Sequence, residues 1–140
     1  MGSDISLWFD ALLNFCALFG IALVLSAVYL VIYVLLTAHN EIKLIRRNNI
    51  SASVALSLSL VGFSMPLASS FVHSSTILEC VAWGLVALVV QIVVYWIVRL
   101  IIPNLSQRIA ANELAAALFL GAASVAAGLV NASAMAISTS

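Results

Sequence analysis

The sequence predicts an all-α, polytopic membrane protein whose four transmembrane helices form two helical hairpins arranged as parallel repeats. The 140-residue chain is 65% hydrophobic and 7% charged, with a mean hydropathy of +1.25, whereas soluble domains carry about 25% charged residues. Four apolar stretches are each long enough to cross a bilayer. The second and fourth stretches each follow a basic loop and carry a stripe of small residues. We therefore expect residues 1–140 to form a single membrane domain.

The first predicted span runs from Phe15 to Leu36 and is expected to face mostly lipid. The segment before it holds no Lys or Arg, so it does not have the pattern of a cleavable signal. Tyr29 and Tyr33, four residues apart near the end of the span, are interpreted as interface anchors rather than a cofactor clamp. Five large apolar residues of the preceding segment are expected to lie along the membrane interface: Leu7, Trp8, Phe9, Leu12 and Leu13.

A polar and basic loop follows the first span. His39 and Glu41 are close enough in sequence to suggest a metal site or a proton relay, but no third ligand lies nearby. A solvated loop with a helix cap is the favoured interpretation of His39, Asn40 and Glu41. The only dense basic cluster comes next: Lys43, Arg46 and Arg47.

The second predicted span, Ser51 to Val72, contains no charged residue. Pro66 has no amide hydrogen, which predicts a kink and leaves the Gly62 carbonyl to be satisfied by a neighbouring helix or a water. A small-residue stripe lets another helix backbone come close in lipid. Its members fall within about a 100° arc of the helix: Ala52, Ala55, Ser59, Gly62, Pro66 and Ser69.

The third predicted span, Ile77 to Ile102, carries a second small and polar face. Gln91 lies near the middle of the membrane, where an amide facing lipid is costly, so it must face another helix or a water-filled space. Cys16 and Cys80 are interpreted as structural thiols, and a disulfide between them stays open as the alternative. One face of the third span holds Cys80, Gly84, Ala87, Gln91 and Tyr95.

The fourth predicted span, Leu114 to Ile137, repeats the pattern of the second. Two small-residue pairs at a spacing of four, in register on one face, predict close helix packing. Asn131 continues that face as a second intramembrane amide. The face consists of Ala117, Gly121, Ser124, Gly128 and Asn131.

The two halves of the chain are predicted to be repeats, with one unit at about 12–72 and the other at about 76–140. The segment from Asn49 to Ser53 aligns with the segment from Asn112 to Ala116, and each precedes a small-residue helix. Because each unit has two spans, both units start on the same side of the membrane and are related by an axis along its normal.

Four groups of residues carry a resemblance to a known family: His39, Asn40 and Glu41; Gly62 with Pro66 and Leu67; Trp83 and Gly84 with Gln91; and Gly128 with Asn131, Ala132 and Met135. Together they resemble the YjfL-like bacterial inner-membrane proteins, a domain-of-unknown-function family (number 350). The resemblance implies four spans built from two repeated two-helix units, encoded near membrane-stress proteins of the phage-shock type. It implies no biochemical activity. Leu58 and Leu114 depart from the family, which has a glycine and a small or polar residue there.

The sequence predicts no enzyme, no cofactor and no metal site. No nucleophile, base and orienting group can be assembled, because His39 and His73 are predicted at opposite membrane faces. No basic run with interleaved aromatics suggests nucleic acid. Glu79 and Arg99 are the deepest ionisable residues, and both lie near span ends, unlike the deep charges of ion pumps.

All five basic residues lie in or beside the first and third connections: Lys43, Arg46, Arg47, Arg99 and Arg108. The positive-inside rule then predicts that both termini and the turn around His73 lie outside the cytoplasm of a bacterial inner membrane. The cytoplasmic loops are expected to contact anionic lipid headgroups or a peripheral membrane-stress protein.

A homo-oligomer is predicted, with close contacts between copies made by the second and fourth spans. The favoured function is a non-enzymatic membrane assembly or scaffold linked to envelope stress. The alternative is a small channel or transporter subunit with a polar path along the helix interfaces. That path would be lined by Gln91, Asn131, Ser124, Ser57 and Ser64.

Overall fold

The structure, a computed structural model, describes residues 2–37 and 41–139, and within these residues it contains α-helices and no strands. Four of the helices, α1, α3, α4 and α6, are long and apolar enough to cross a membrane. The bounds of the last three agree with the predicted spans to within two residues. In chain order the helices are α1 (Gly2–Leu36), α2 (Glu41–Arg46), α3 (Ile50–His73), α4 (Ile77–Ile101), α5 (Leu105–Ala110) and α6 (Leu114–Thr139).

The core of the bundle is the contact between α3 and α6. Hydrogen-bonded residues of the two helices are separated by a nearly constant 61 to 65 positions: Ser51 with Asn112, Ser59 with Ser124, and Ser69 with Ala132. Because position increases along both helices together, α3 and α6 run parallel. The α4 helix connects them by crossing the bundle in the opposite direction and packs against both.

Short helices and asparagine turns lead into α3 and α6. Asn48 and Asn112 both adopt a left-handed backbone conformation, each with φ 64°, which asparagine tolerates better than most residues. The Asn49 side chain then accepts a hydrogen bond from the Ala52 amide and caps α3. By this shared backbone conformation the structural equivalent of Asn112 is Asn48, whereas the alignment predicted from the sequence matched Asn112 with Asn49. The arrangement of the chain as two hairpin repeats stays a prediction.

The α1 helix is longer than predicted, because it begins at Gly2 and continues without a break for 35 residues. Nothing between Gly2 and Phe15 ends a helix, since the segment lacks proline and internal glycine. The predicted interface segment is therefore the start of α1, and its large apolar side chains are exposed. The fully buried residues of α1 are Leu25, Tyr29 and Tyr33, all on the second half of the helix.

Tyr29 and Tyr33 are not interface anchors, so that prediction was wrong. Each is 3% exposed. The Tyr29 ring stacks on Phe63 of α3 with 4.6 Å between centroids, and the Tyr33 ring meets Tyr95 of α4 edge-on at 6.1 Å. Aromatic rings in these geometries fill the space between α1, α3 and α4 and fix α1 against the bundle.

Candidate functional site

Two glycines allow α3 and α6 to touch backbone to backbone. A Cβ atom on Gly62 would overlap the Ser124 carbonyl, and a Cβ atom on Gly128 would overlap the Gly62 carbonyl. Pro66 leaves that Gly62 carbonyl without its usual helical donor. It lies instead against the backbone of Gly128, where a weak Cα–H···O contact is available. Pro66 itself is buried one turn further along α3.

Gly121 makes a different contact from Gly62 and Gly128. A Cβ atom there would lie 2.6 Å from Cδ1 and 2.7 Å from Cβ of Leu58. Its neighbour is thus the leucine that stands where the resembled family has a glycine. A large residue on α3 opposite a small one on α6 keeps the surfaces complementary at this level.

These contacts bury the small-residue stripes of α3 and α6 within one chain. Ala52, Ala55, Ser59 and Gly62 of α3 are all buried in the bundle. The facing stripe of α6 is buried from Ala117 to Gly128. We predicted that the same stripes would form the contacts between copies. The structure does not place them there, because a parallel partner for α3 is available later in the same chain.

A polar cluster sits at the level of these glycines. Gln91 is 2% exposed, and its Nε2 donates to the Ser124 carbonyl at 3.1 Å. The Ser124 hydroxyl lies 3.4 Å from that of Ser59, which the hydroxyls of Tyr29 and Tyr33 also approach. Oε1 of Gln91 is buried without a hydrogen-bond partner. Gln91 therefore bonds to another helix, one of the two environments expected for it.

The other predicted polar residues do not join this cluster. Asn131 lies further along α6 and is partly buried, and its Nδ2 has no hydrogen-bond partner. Ser57 and Ser64 are exposed on α3, and Ser64 donates to the Val61 carbonyl of its own helix. Within one chain, Ser57 and Ser64 thus lie outside the surface that holds Gln91 and Ser124.

One end of the bundle, here called the basic end, is formed by α2, α5 and the end of α4. Arg108 pairs with Glu113 at 2.7 Å, and the Arg99 guanidinium lies over the Trp96 ring at 5.0 Å. The exposed cations of this end are Lys43, Arg46, Arg47 and Arg99.

Two hydrogen bonds join the halves of the basic end. The Asn49 side chain donates to the Ala110 carbonyl at 3.1 Å, and the Ser51 amide donates to the Asn112 side chain at 3.0 Å. Since each bond connects the start of α3 to the turn before α6, the two connections are held in one fixed arrangement. Asn49 and Asn112, which the sequence aligns, each make one of these two bonds, and their spacing in the sequence did not predict either bond.

Glu41, predicted in a solvated loop, is the first residue of α2 and lies in the interior. Its side chain is 1% exposed, not solvated as expected. This burial raises the pKa of the Glu41 carboxyl from 4.5 to about 7, against the opposing effect of a hydrogen bond with Thr37. His39 and Asn40, to which the same interpretation was given, lie outside the described residues.

The remaining candidates are the thiols. Cys16 is exposed and Cys80 is buried, and both are free, so the open alternative of a disulfide is not what the structure has. Cys80 Sγ lies 3.7 Å from the Ser70 carbonyl. Among the described residues, no three His, Cys, Asp or Glu side chains are grouped so that they could hold a metal ion.

Comparisons with known proteins identify relatives along almost the whole chain. A family model described as Domain of Unknown Function (DUF350) matches residues 6–135. The UPF0719 inner membrane protein YjfL of Escherichia coli (strain K12) is 42% identical over 126 residues, which cover 90% of this chain and 96% of the relative. The UPF0719 transmembrane protein YshE of Bacillus subtilis (strain 168) is 21% identical over 97 residues, 69% of this chain and 72% of that protein. No solved structure matches.

Proposed function

Since this chain belongs to the DUF350 family and is a multi-pass protein of the bacterial inner membrane, we propose that it is a non-enzymatic membrane scaffold. Its basic end binds the anionic headgroups of the cytoplasmic leaflet. The family expected from the sequence is confirmed. The scaffold role goes further than the family, whose function is not assigned.

The exposed positive charge at the basic end carries this proposal. Lys43, Arg46, Arg47 and Arg99 are exposed, whereas Glu113 is paired with Arg108 and Glu41 is buried. Each Lys or Arg near an anionic leaflet contributes about 1 kcal/mol to its attraction. Trp96, beneath Arg99, is a residue type that prefers the headgroup level.

The proposed orientation follows from the same residues. The positive-inside rule puts the basic end in the cytoplasm and both ends of the chain in the periplasm. The basic end is then available to the leaflet that carries the anionic lipids. A peripheral protein of the membrane-stress type is the second proposed partner, which is how we link the scaffold to envelope stress.

Absence of catalysis is part of the proposal and is supported by the packing of the interior. Gln91, Ser59 and Ser124, the polar groups of the bundle centre, are all buried between helices that touch. A substrate would have to separate α3 from α6, whose backbones meet at Gly62 and Gly128.

We further infer that copies associate through the outward face of α6, since the inward face is used within the chain. Ala122, Ala126 and Ser133 are exposed there at helical spacing, and small residues let helices approach closely in lipid. On this proposal Ala126→Leu lowers the oligomer fraction measured by cross-linking in membranes, and Ala27→Leu, at an exposed position of α1, does not. A single species of monomer mass in bilayers would contradict it.

The scaffold proposal is tested by measuring which lipids the protein holds. In bilayers with trace spin-labelled lipid, we expect a larger motionally restricted fraction for phosphatidylglycerol than for phosphatidylcholine. Replacing Lys43, Arg46 and Arg47 together by Gln should reduce this preference to the share that Arg99 supplies, and high salt should weaken it. Arg108→Gln is the control, because Arg108 is already paired with Glu113. Equal fractions for both lipids in the wild-type protein would contradict the proposal.

A channel or transporter subunit is the second candidate function. Two observations favour it: Oε1 of Gln91 and Nδ2 of Asn131 are buried without hydrogen-bond partners. A ligand or water that passes through the bundle could bond to these two atoms. If the wild-type protein conducts ions into liposomes and Gln91→Leu does not, a channel function would replace the scaffold proposal. Equal, background flux for both proteins would remove this candidate.

A further inference from the structure

Glu41, the first residue of α2, is buried at the basic end. Its side chain is 1% exposed, and Oε2 is buried without a hydrogen-bond partner. Thr37 bonds to the carboxyl, but a hydroxyl has a single hydrogen. The Val34 carbonyl, 3.0 Å from the Thr37 oxygen, competes for that hydrogen. A carboxylate in such a place is poorly stabilised, and the usual outcome is that it takes up a proton.

Within residues 2–37 and 41–139, burial and the Thr37 hydroxyl are the influences that act on the Glu41 carboxyl, and neither is a positive charge that would favour ionisation. The Tyr33 hydroxyl of α1 is close enough to interact electrostatically with Glu41 and is itself buried without a hydrogen-bond partner. The α3 helix holds no ionisable side chain before His73 at its far end. Among the described residues, the other titratable or charged groups at this end are Tyr29 of α1, the exposed Lys43, Arg46 and Arg47 in and just after α2, Tyr95 and the exposed Arg99 of α4, and Arg108 with its partner Glu113.

We propose that Glu41 is a proton-binding site and that the bound proton holds α2 against the bundle. With the proton in place, the neutral carboxyl is compatible with its dry position beside Tyr33 and Thr37. When the proton leaves, the carboxylate favours water, and α2 moves away from α3 and takes Lys43 and Arg46 with it. This site does not depend on the lipid-binding function proposed above.

The direction of the pH dependence follows from linkage. The docked carboxyl binds its proton more tightly, with a pKa of about 7 against the ordinary 4.5. The bound proton therefore makes its full contribution to the docking of α2 below about pH 4.5. Above that pH the docking equilibrium constant falls by up to tenfold per pH unit, and the contribution is lost as the pH passes about 7. The whole change amounts to about 300-fold in the docking equilibrium.

Hydrogen exchange of the α2 amides in lipid nanodiscs tests the site. After correction for the intrinsic pH dependence of exchange, protection of Glu41–Arg46 should fall by up to about 70-fold between about pH 5 and about pH 8, the part of the whole change that lies in this range. The α5 helix, Leu105–Ala110, is an internal control, because it is equally short, lies at the same end and carries no acidic residue.

Two variants complete the experiment. In Glu41→Gln the side chain cannot ionise, so α2 protection should be equal at both pH values. In Glu113→Gln the wild-type fall should remain, since Glu113 is exposed. The proposal is overturned if wild-type α2 keeps its protection at the higher pH, if α5 loses as much as α2, or if Glu41→Gln falls as the wild type does. The wild-type comparison of α2 with α5 decides the matter even if Glu41→Gln does not fold.

Discussion

Among single residues, Gly128 tests the backbone contact most directly. In Gly128→Ala the new Cβ would meet the Gly62 backbone, which cannot turn aside as a side chain can. We expect a loss of about 1–3 kcal/mol in the free energy of unfolding, the usual effect of overpacking. Gly20→Ala is the matched control, since nothing lies within 4 Å of its Cβ position in α1. Unfolding by SDS in mixed micelles gives both values, and equal losses would show that Gly128 is not in close contact.

Gln91 is expected to matter less for stability than its burial suggests. It gives one hydrogen bond to the Ser124 carbonyl and leaves Oε1 without a partner. Interhelical hydrogen bonds in membranes average about 0.6 kcal/mol, and Gln91→Leu also removes an unpaired polar atom. We therefore expect the free energy of unfolding of Gln91→Leu to lie within about 1 kcal/mol of the wild-type value in the same SDS titration. A much larger loss would mean that the amide has partners beyond Ser124.

The helices themselves follow from the sequence, whereas their pairing does not. Apolar length fixed the bounds of α3, α4 and α6, because lipid requires every backbone group to be bonded within its own segment. Tyr29, Tyr33 and Glu41 were misplaced for a common reason. Their burial depends on where α1 and α2 meet other helices, and neither helix has a pattern that identifies its partner. The small stripe of α3 likewise indicated close packing, but not that α6 of the same chain provides it.

The turn that leads into α6 offers a prediction about how the helices are joined. Asn112 has a positive φ and accepts a hydrogen bond from the Ser51 amide, while Asn104 has a positive φ and no capping hydrogen bond. Glycine tolerates this backbone conformation at both sites. Asn112→Gly should thus lose about 1 kcal/mol of unfolding free energy, and Asn104→Gly should stay within about 0.5 kcal/mol of the wild type. If Asn112→Gly and Asn104→Gly lose the same free energy in thermal unfolding, the hydrogen bond between α3 and the turn does not contribute to stability.

For the complete bundle, the proposed orientation predicts which surface reagents can reach. In a background with Cys16 and Cys80 replaced by Ala, Ser75→Cys and Gln107→Cys put single thiols on exposed positions at opposite ends. A membrane-impermeant maleimide added to intact spheroplasts should label Ser75→Cys only, and both after lysis. Labelling of Gln107→Cys from outside would reverse the orientation and put the basic end in the periplasm.

The parallel contact between α3 and α6 also affects how the protein is made. Partners on these helices lie 61 to 65 residues apart, so α3 enters the membrane well before α6 has been translated. At about 5–20 residues per second, the interval is about 3–13 s. During that time the glycine face of α3 is open to the α6 helix of another nascent chain. An exchanged pair would have the same contacts as the native one, so correct assembly depends on α4 returning across the membrane promptly and keeping α6 beside its own α3.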